Sequence, residues 1–321
     1  MEILRTPDER FDGLPEYPFE PHYTDVSDPD GGTLRMHYVD IGAREGPVIL
    51  MFHGNPDWSF SFRHLITTFA GEGFRAIAPD MIGFGRSDKP TERREHSIER
   101  HIEWLREFVR NLDLQRITLV CQDWGGTMGP GVVTREESRF ARVVISNGVM
   151  HTAEAKLAGR LPRNYSVHEL NEDEVCVGKS MLAWVAHSQR TGGISPGESA
   201  RRLCSKPISD EVAAGYDAPF PDERYQIAHR QFAMLIPLQP EDEGAILNRK
   251  TWSRLTSFQK PLLTVYGDAD PCTGGWDAIF QERVPGARGQ AHVTLEDSGH
   301  FLGEDRPIEL AGHILGFIRS T

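Results

Sequence analysis

Three short motifs place reactive side chains just past apolar runs. In VCQDWGG, residues 120–126, an apolar stretch runs into Asp123, and Gly125 and Gly126 follow where a helix should start. A strand-to-helix corner of this kind exposes one side chain. It also aims backbone N–H groups and a helix N-terminus at the same spot. VYGDADP, residues 265–271, sets Asp268 and Asp270 after a second run, and DSGHF, residues 297–301, sets His300 after the last. The loop HGNPDW, residues 53–58, follows an early run and can supply another backbone N–H for an oxyanion. Together these form a candidate triad of nucleophile, acid and base, with Asp123 first and His300 last.

The identity of the nucleophile selects the reaction. A serine that attacks a saturated carbon would leave an inert ether. A carboxylate that attacks the same carbon leaves an ester, which water can open at the carboxylate carbon. Asp123 therefore suits displacement at saturated carbon rather than serine-type ester hydrolysis.

The elements that must hold these motifs are legible as alternating strand and helix signals. Leu34–Ile41 alternates like an exposed strand. Val48–Phe52, Phe74–Ala78, Ile117–Cys121, Val143–Ser146, Leu262–Tyr266 and His292–Leu295 read as short buried strands. Ser97 is a plausible N-cap, followed at helical spacing by Ile98, Ile102, Leu105, Phe108, Val109 and Leu112. This rhythm implies a mostly parallel sheet covered by helices on both faces. It breaks between about His151 and Gln239, a polar, proline-punctuated stretch with little strand pattern. The expected organisation is a core over residues 1–150, a helical cap over 151–239 and the rest of the core over 240–321. The cap would cover the carboxyl edge of the sheet, where ligands bind in open α/β folds.

Composition narrows the function classes. The 321 residues carry a net charge of −12, which argues against nucleic acid or anionic lipid as partners. Cys121, Cys176, Cys204 and Cys272 form no CxxC pair, and no His/Cys cluster has zinc-ligand spacing. Reduced thiols, the lack of an apolar leader and the lack of a membrane-length apolar run give a cytoplasmic expectation.

At the level of whole motifs the chain resembles the haloalkane dehalogenases of the α/β-hydrolase superfamily. The resemblance rests on HGNPDWSFSFRHL (53–65), PDMIGFGRSDKP (79–90), CQDWGG, YDAPFPDERYQ (216–226) and SGHF, and spans nearly the whole chain. It implies an α/β-hydrolase fold with an inserted helical cap. It implies Asp123 as nucleophile, His300 as base and Asp270 as acid, since Asp270 matches the family's spacing after Gly267. Asn147 stands where another subfamily carries its acid, and an amide cannot fill that role. Trp124 matches the first halide-binding tryptophan, and Trp184, upstream of YDAPFPD, matches the second. Backbone N–H groups of Asn55 and Trp124 would form the oxyanion hole. Close relatives often carry Glu at the Asn55 position, whereas other dehalogenase subfamilies carry a halide-contacting Asn, so Asn55 would give either its backbone N–H alone or a side-chain contact to the halide as well. Phe220, Pro221 and Thr127 are expected in the pocket wall, with Thr127 where the family often has an aromatic.

The resemblance implies a small apolar halogenated substrate, halide and water as partners, no metal, nucleotide or organic cofactor, and a monomer or weak homodimer. Two alternatives stand beside it. An epoxide hydrolase would use the same triad with cap tyrosines as proton donors, from among Tyr165, Tyr216 and Tyr225. A ligand-binding relative without catalysis is disfavoured by the complete triad.

Overall fold

A computed structural model describes residues 1–153, 185, 188–189 and 195–321. Among these residues the main sheet has eight strands: β1 (His22–Ser27), β2 (Thr33–Gly42), β3 (Val48–Phe52), β4 (Arg75–Pro79), β5 (Ile117–Asp123), β6 (Phe140–Gly148), β7 (Leu262–Gly267) and β8 (Val293–Leu295). Their spatial order is β1-β2-β4-β3-β5-β6-β7-β8. Only the β1–β2 and β2–β4 pairs are antiparallel.

Each central strand is buried on both faces, which is why its sequence is a continuous apolar run. In β3, Ile49 and Met51 pack on one side, with α1 (Arg63–Gly71) and the C-terminal helix Pro307–Ser320. Leu50 and Phe52 pack on the other side, with α2 (Ile98–Asn111) and α3 (Gly125–Val133). The α2 helix starts where its sequence says: the Ser97 side chain accepts from Arg100 N. Between β6 and β7 the described residues are helical, with Pro196–Leu203, Asp210–Asp217, Ile227–Met234 and Glu243–Leu255. Among the described residues no helix is long and apolar enough to cross a membrane.

The β2 strand departs from the exposed reading. It is paired on both edges, and Leu34, Met36, His37 and Val39 are buried. The polar His37 is accommodated because its Nδ1 lies 2.7 Å from Asp80 Oδ2. Asp80 is a buried hub just past β4. It also accepts from Ser59 N at 2.9 Å and Arg86 N at 2.8 Å, so it ties the end of the HGNPDW loop to the next strand end. Burial opposes its charge, but the neighbouring imidazoles and backbone donors hold its pKa well below the usual carboxylate range.

A carboxylate with a depressed folded pKa stabilises the fold above its ordinary value of about 4, and that contribution is lost as pH falls below it. Asp80→Asn should therefore lower stability in urea at pH 7 by about 3 kcal/mol. It should also lose less stability than the parent between about pH 5 and pH 3. Equal pH slopes in the two proteins would count against the assignment.

Candidate active site

The end of β5 forms the corner expected from VCQDWGG. Asp123 adopts φ 52°, the left-handed region that a non-glycine residue occupies at a cost. The strain is held by close packing on both sides. A Cβ on Gly125 would lie 2.2 Å from Phe52 O, and one on Gly54 would lie 2.3 Å from Asp123 Oδ1. Only glycine lets the HGNPDW loop pass this close to the carboxylate. Asn55 N–H then donates to Asp123 Oδ1 at 2.8 Å. The Trp124 backbone N–H, the other expected oxyanion donor, stands at the same corner as the N-cap of α3.

Asp123 Oδ2 faces the histidine instead. His300 Nε2 lies 3.4 Å away, and His300 Nδ1 lies 3.1 Å from both oxygens of Asp270. Asp268, the other carboxylate of the motif, accepts from Ser298 N in the turn next to the histidine and does not meet the ring. Asp270 also accepts from Cys272 N at 2.8 Å and from the Thr273 hydroxyl. Burial opposes the charge on Asp270, but His300 and these donors lower its pKa. Burial likewise opposes protonation of His300, yet Asp270 and Asp123 together raise its pKa well above the ordinary imidazole value. The half-buried thiol of Cys272, partly desolvated beside these carboxylates, is pushed up to about 12.

The backbone around His300 is pinned as firmly as its ring. His300 N–H donates to Leu203 O at 2.8 Å, which ties the histidine loop to a helical segment between β6 and β7. Its carbonyl accepts from Asn147 Nδ2 at 2.9 Å and Gln122 Nε2 at 3.2 Å. Asn147 is thus a staple between strand ends rather than an acid, and its Oδ1 accepts from Gly267 N.

A cavity opens above Asp123. Its walls include Pro56, Trp124, Val149, Leu203, Ile236 and Pro237, with Thr127, His151, Asn248, Cys272 and Thr273 as polar members. Trp124 stacks edge-on against Phe232 at 5.1 Å, and its indole N–H has no hydrogen-bond partner among the described residues. The side chain of Asn55 is turned away to His229, donating to its carbonyl at 3.2 Å and lying 2.8 Å from its Nδ1.

Thr127 lines the cavity, its hydroxyl donating to Val149 O at 2.6 Å. Phe220 and Pro221 do not line it. Phe220 is buried in the core beside Phe84, and Pro221 is exposed, because Thr6 holds the neighbouring Pro219 carbonyl and draws this segment onto the N-terminal arm. Trp184 lies outside the described residues, as do Tyr165 and Cys176. Sequence reasoning did not single out His229, Cys272 or Thr273. The last two stand two and three residues past Asp270, so their proximity was readable; nothing in the sequence links His229 to a loop 174 residues earlier.

The space argument makes Gly54 a sensitive position. Gly54→Ala should leave the circular dichroism spectrum unchanged while lowering kcat/KM by about a hundredfold or more, because the added carbon displaces the Asp123 carboxylate. Activity within about threefold of the parent would show that the loop yields instead.

A family model described as alpha/beta hydrolase fold matches residues 47–307. A haloalkane dehalogenase of Psychrobacter cryohalolentis is 40% identical over 321 residues, all of this chain and 99% of that protein. Haloalkane dehalogenase 1 of Mycobacterium tuberculosis is 39% identical over the full length of both. Among solved structures, the tetrameric haloalkane dehalogenase of Paraglaciecola agarilytica superposes with a TM-score of 0.83 at 27% identity, covering 100% of this chain and 99% of that one. By its fold and by full-length identity to these relatives, the chain belongs to the haloalkane dehalogenase family.

Proposed function

We propose that the chain hydrolyses the carbon–halogen bond of haloalkanes through an ester on Asp123, releasing an alcohol, a halide and a proton. The observation that carries this reading is the division of labour between the two oxygens of Asp123. Oδ1 is held by a backbone N–H, whereas Oδ2 is turned toward His300 under an open cavity. In this reading Oδ2 attacks the carbon from the side opposite the halogen. The C–O bond forms as the C–halogen bond breaks, and the halide leaves with the bonding pair. The Trp124 indole N–H receives it, together with Trp184 from the cap. An indole N–H suits this task, since it donates without accepting and sits on an apolar ring.

Ester formation then prepares its own hydrolysis. Free Asp123 is one of two carboxylates that raise the pKa of His300. The ester removes that charge, so His300 becomes easier to deprotonate when a base is needed. His300 takes a proton from water, water attacks the ester carbonyl, and Asp270 holds the resulting imidazolium. Oδ1 becomes the oxyanion at the Asn55 N–H. In this reading the chain divides into core over 1–150, cap over 151–239 and core over 240–321, with the cavity between the strand ends and the inserted helices.

The epoxide-hydrolase alternative needs a proton donor for an alkoxide. Tyr216 is committed to Glu304, 2.6 Å away, and neither it nor Tyr225 lines the cavity. Among the described residues no tyrosine lines it.

His300→Gln should still form the ester but fail to open it. After exposure to 1-bromobutane, the intact variant should gain the mass of one butyl group on Asp123, with one equivalent of bromide released. A folded variant of unchanged mass would contradict the two-step scheme, and diol formation from an epoxide without halide release from any haloalkane would favour the alternative.

A further inference from the structure

The contact between Asn55 and His229 is closed on both sides. Asn55 Nδ2 donates to the His229 carbonyl at 3.2 Å, so the amide oxygen is the atom that lies 2.8 Å from His229 Nδ1. An amide oxygen only accepts, so Nδ1 carries the proton and donates. Burial lowers the His229 pKa to about 4, so near neutral pH the ring holds one proton and Asn55 fixes it on Nδ1. The two residues are 4% and 5% exposed, for His229 and Asn55 respectively. One residue thus grips both ends of the amide, with its backbone and with its ring. His229 stands on the helix Ile227–Met234, between β6 and β7. Phe232, further along that helix, packs edge-on against Trp124.

The backbone at this point has few donors for such a tie. The Asn55 N–H is spent on Asp123 Oδ1, and Pro56 has no N–H to give. The Asn55 side chain ties the donor's own residue to a separate element instead. We propose that His229 is a positioning residue for the Asn55 N–H, acting through the Asn55 amide, an inference that rests on the dehalogenase reading above. The two steps of that reading ask different things of this N–H. In the first, Oδ2 attacks, and the N–H orients a carboxylate whose charge is dispersing. In the second, charge gathers on Oδ1, and a donor fixed in place stabilises it most. Loosening the donor therefore slows ester hydrolysis more than ester formation.

Rapid-quench single turnovers of 1-bromobutane, with enzyme in excess and intact mass as the readout, give separate rate constants for forming and losing the butyl ester. In His229→Leu, which lacks the ring donor, ester loss should slow by about tenfold while ester formation stays within about threefold of the parent. His229→Asn puts an amide N–H near the place of Nδ1 and should restore most of the rate of ester loss. Asn55→Ala keeps the backbone N–H but loses the amide. It should copy His229→Leu, and the double variant should be no slower than either alone. If His229→Leu does not fold, Asn55→Ala still decides. A merely structural role would slow both steps together, with no rescue by asparagine. That result, or ester loss at the parent rate in the folded variants, would overturn this inference alone. No ester and no bromide from the parent would overturn the dehalogenase reading and this inference with it.

Discussion

Everything in this molecule is arranged around one strained residue, an aspartate held at positive φ where β5 turns into α3. The strain is useful because it takes the carboxylate out of the sheet and sets its two oxygens in different surroundings. One is anchored by a backbone donor and the other faces His300. The cost is carried by the core, where β3 and β5 pair in parallel and deliver Gly54 and Asp123 to the same point. Gly54 and Gly125 together let the chain pack this closely on both sides of the corner.

The second constraint is electrical. Asp123 and Asp270 sit on either side of His300 in a largely buried place, 3.4 Å from its Nε2 and 3.1 Å from its Nδ1. Two carboxylates around one imidazole favour its charged form. In the proposed scheme, alkylating Asp123 would tip that balance toward a neutral base, so that the first step would set the protonation needed for the second. The bonds that fix the His300 backbone, to Leu203, Asn147 and Gln122, keep the ring in line through both steps.

Much of this was legible in the sequence, and the reason is local. The buried strands announce themselves as apolar runs, and the corner, the acid and the histidine each follow one of those runs within a few residues. Ser97 marks its helix for the same reason. What was not legible depends on distant contacts. Phe220 and Pro221 looked like pocket residues because their motif belongs to the inserted region. Thr6 instead binds the neighbouring Pro219 carbonyl and pulls the segment toward the N-terminus. The bond between His229 and Asn55 likewise joins segments with no shared pattern. The β2 strand alternates like an exposed strand, yet Leu34, Met36, His37 and Val39 are buried, and Asp80 supplies a partner for His37.

The claim that matters most is that the oxygen delivered to carbon comes first from Asp123 and not from water. A single turnover of 1-bromobutane, with enzyme in excess in water enriched in heavy oxygen, tests it directly. The butanol should carry ordinary oxygen, and the peptide containing Asp123 should gain the heavy isotope. Heavy oxygen in the butanol of that first turnover, with none in the peptide, would mean that water attacks the carbon directly.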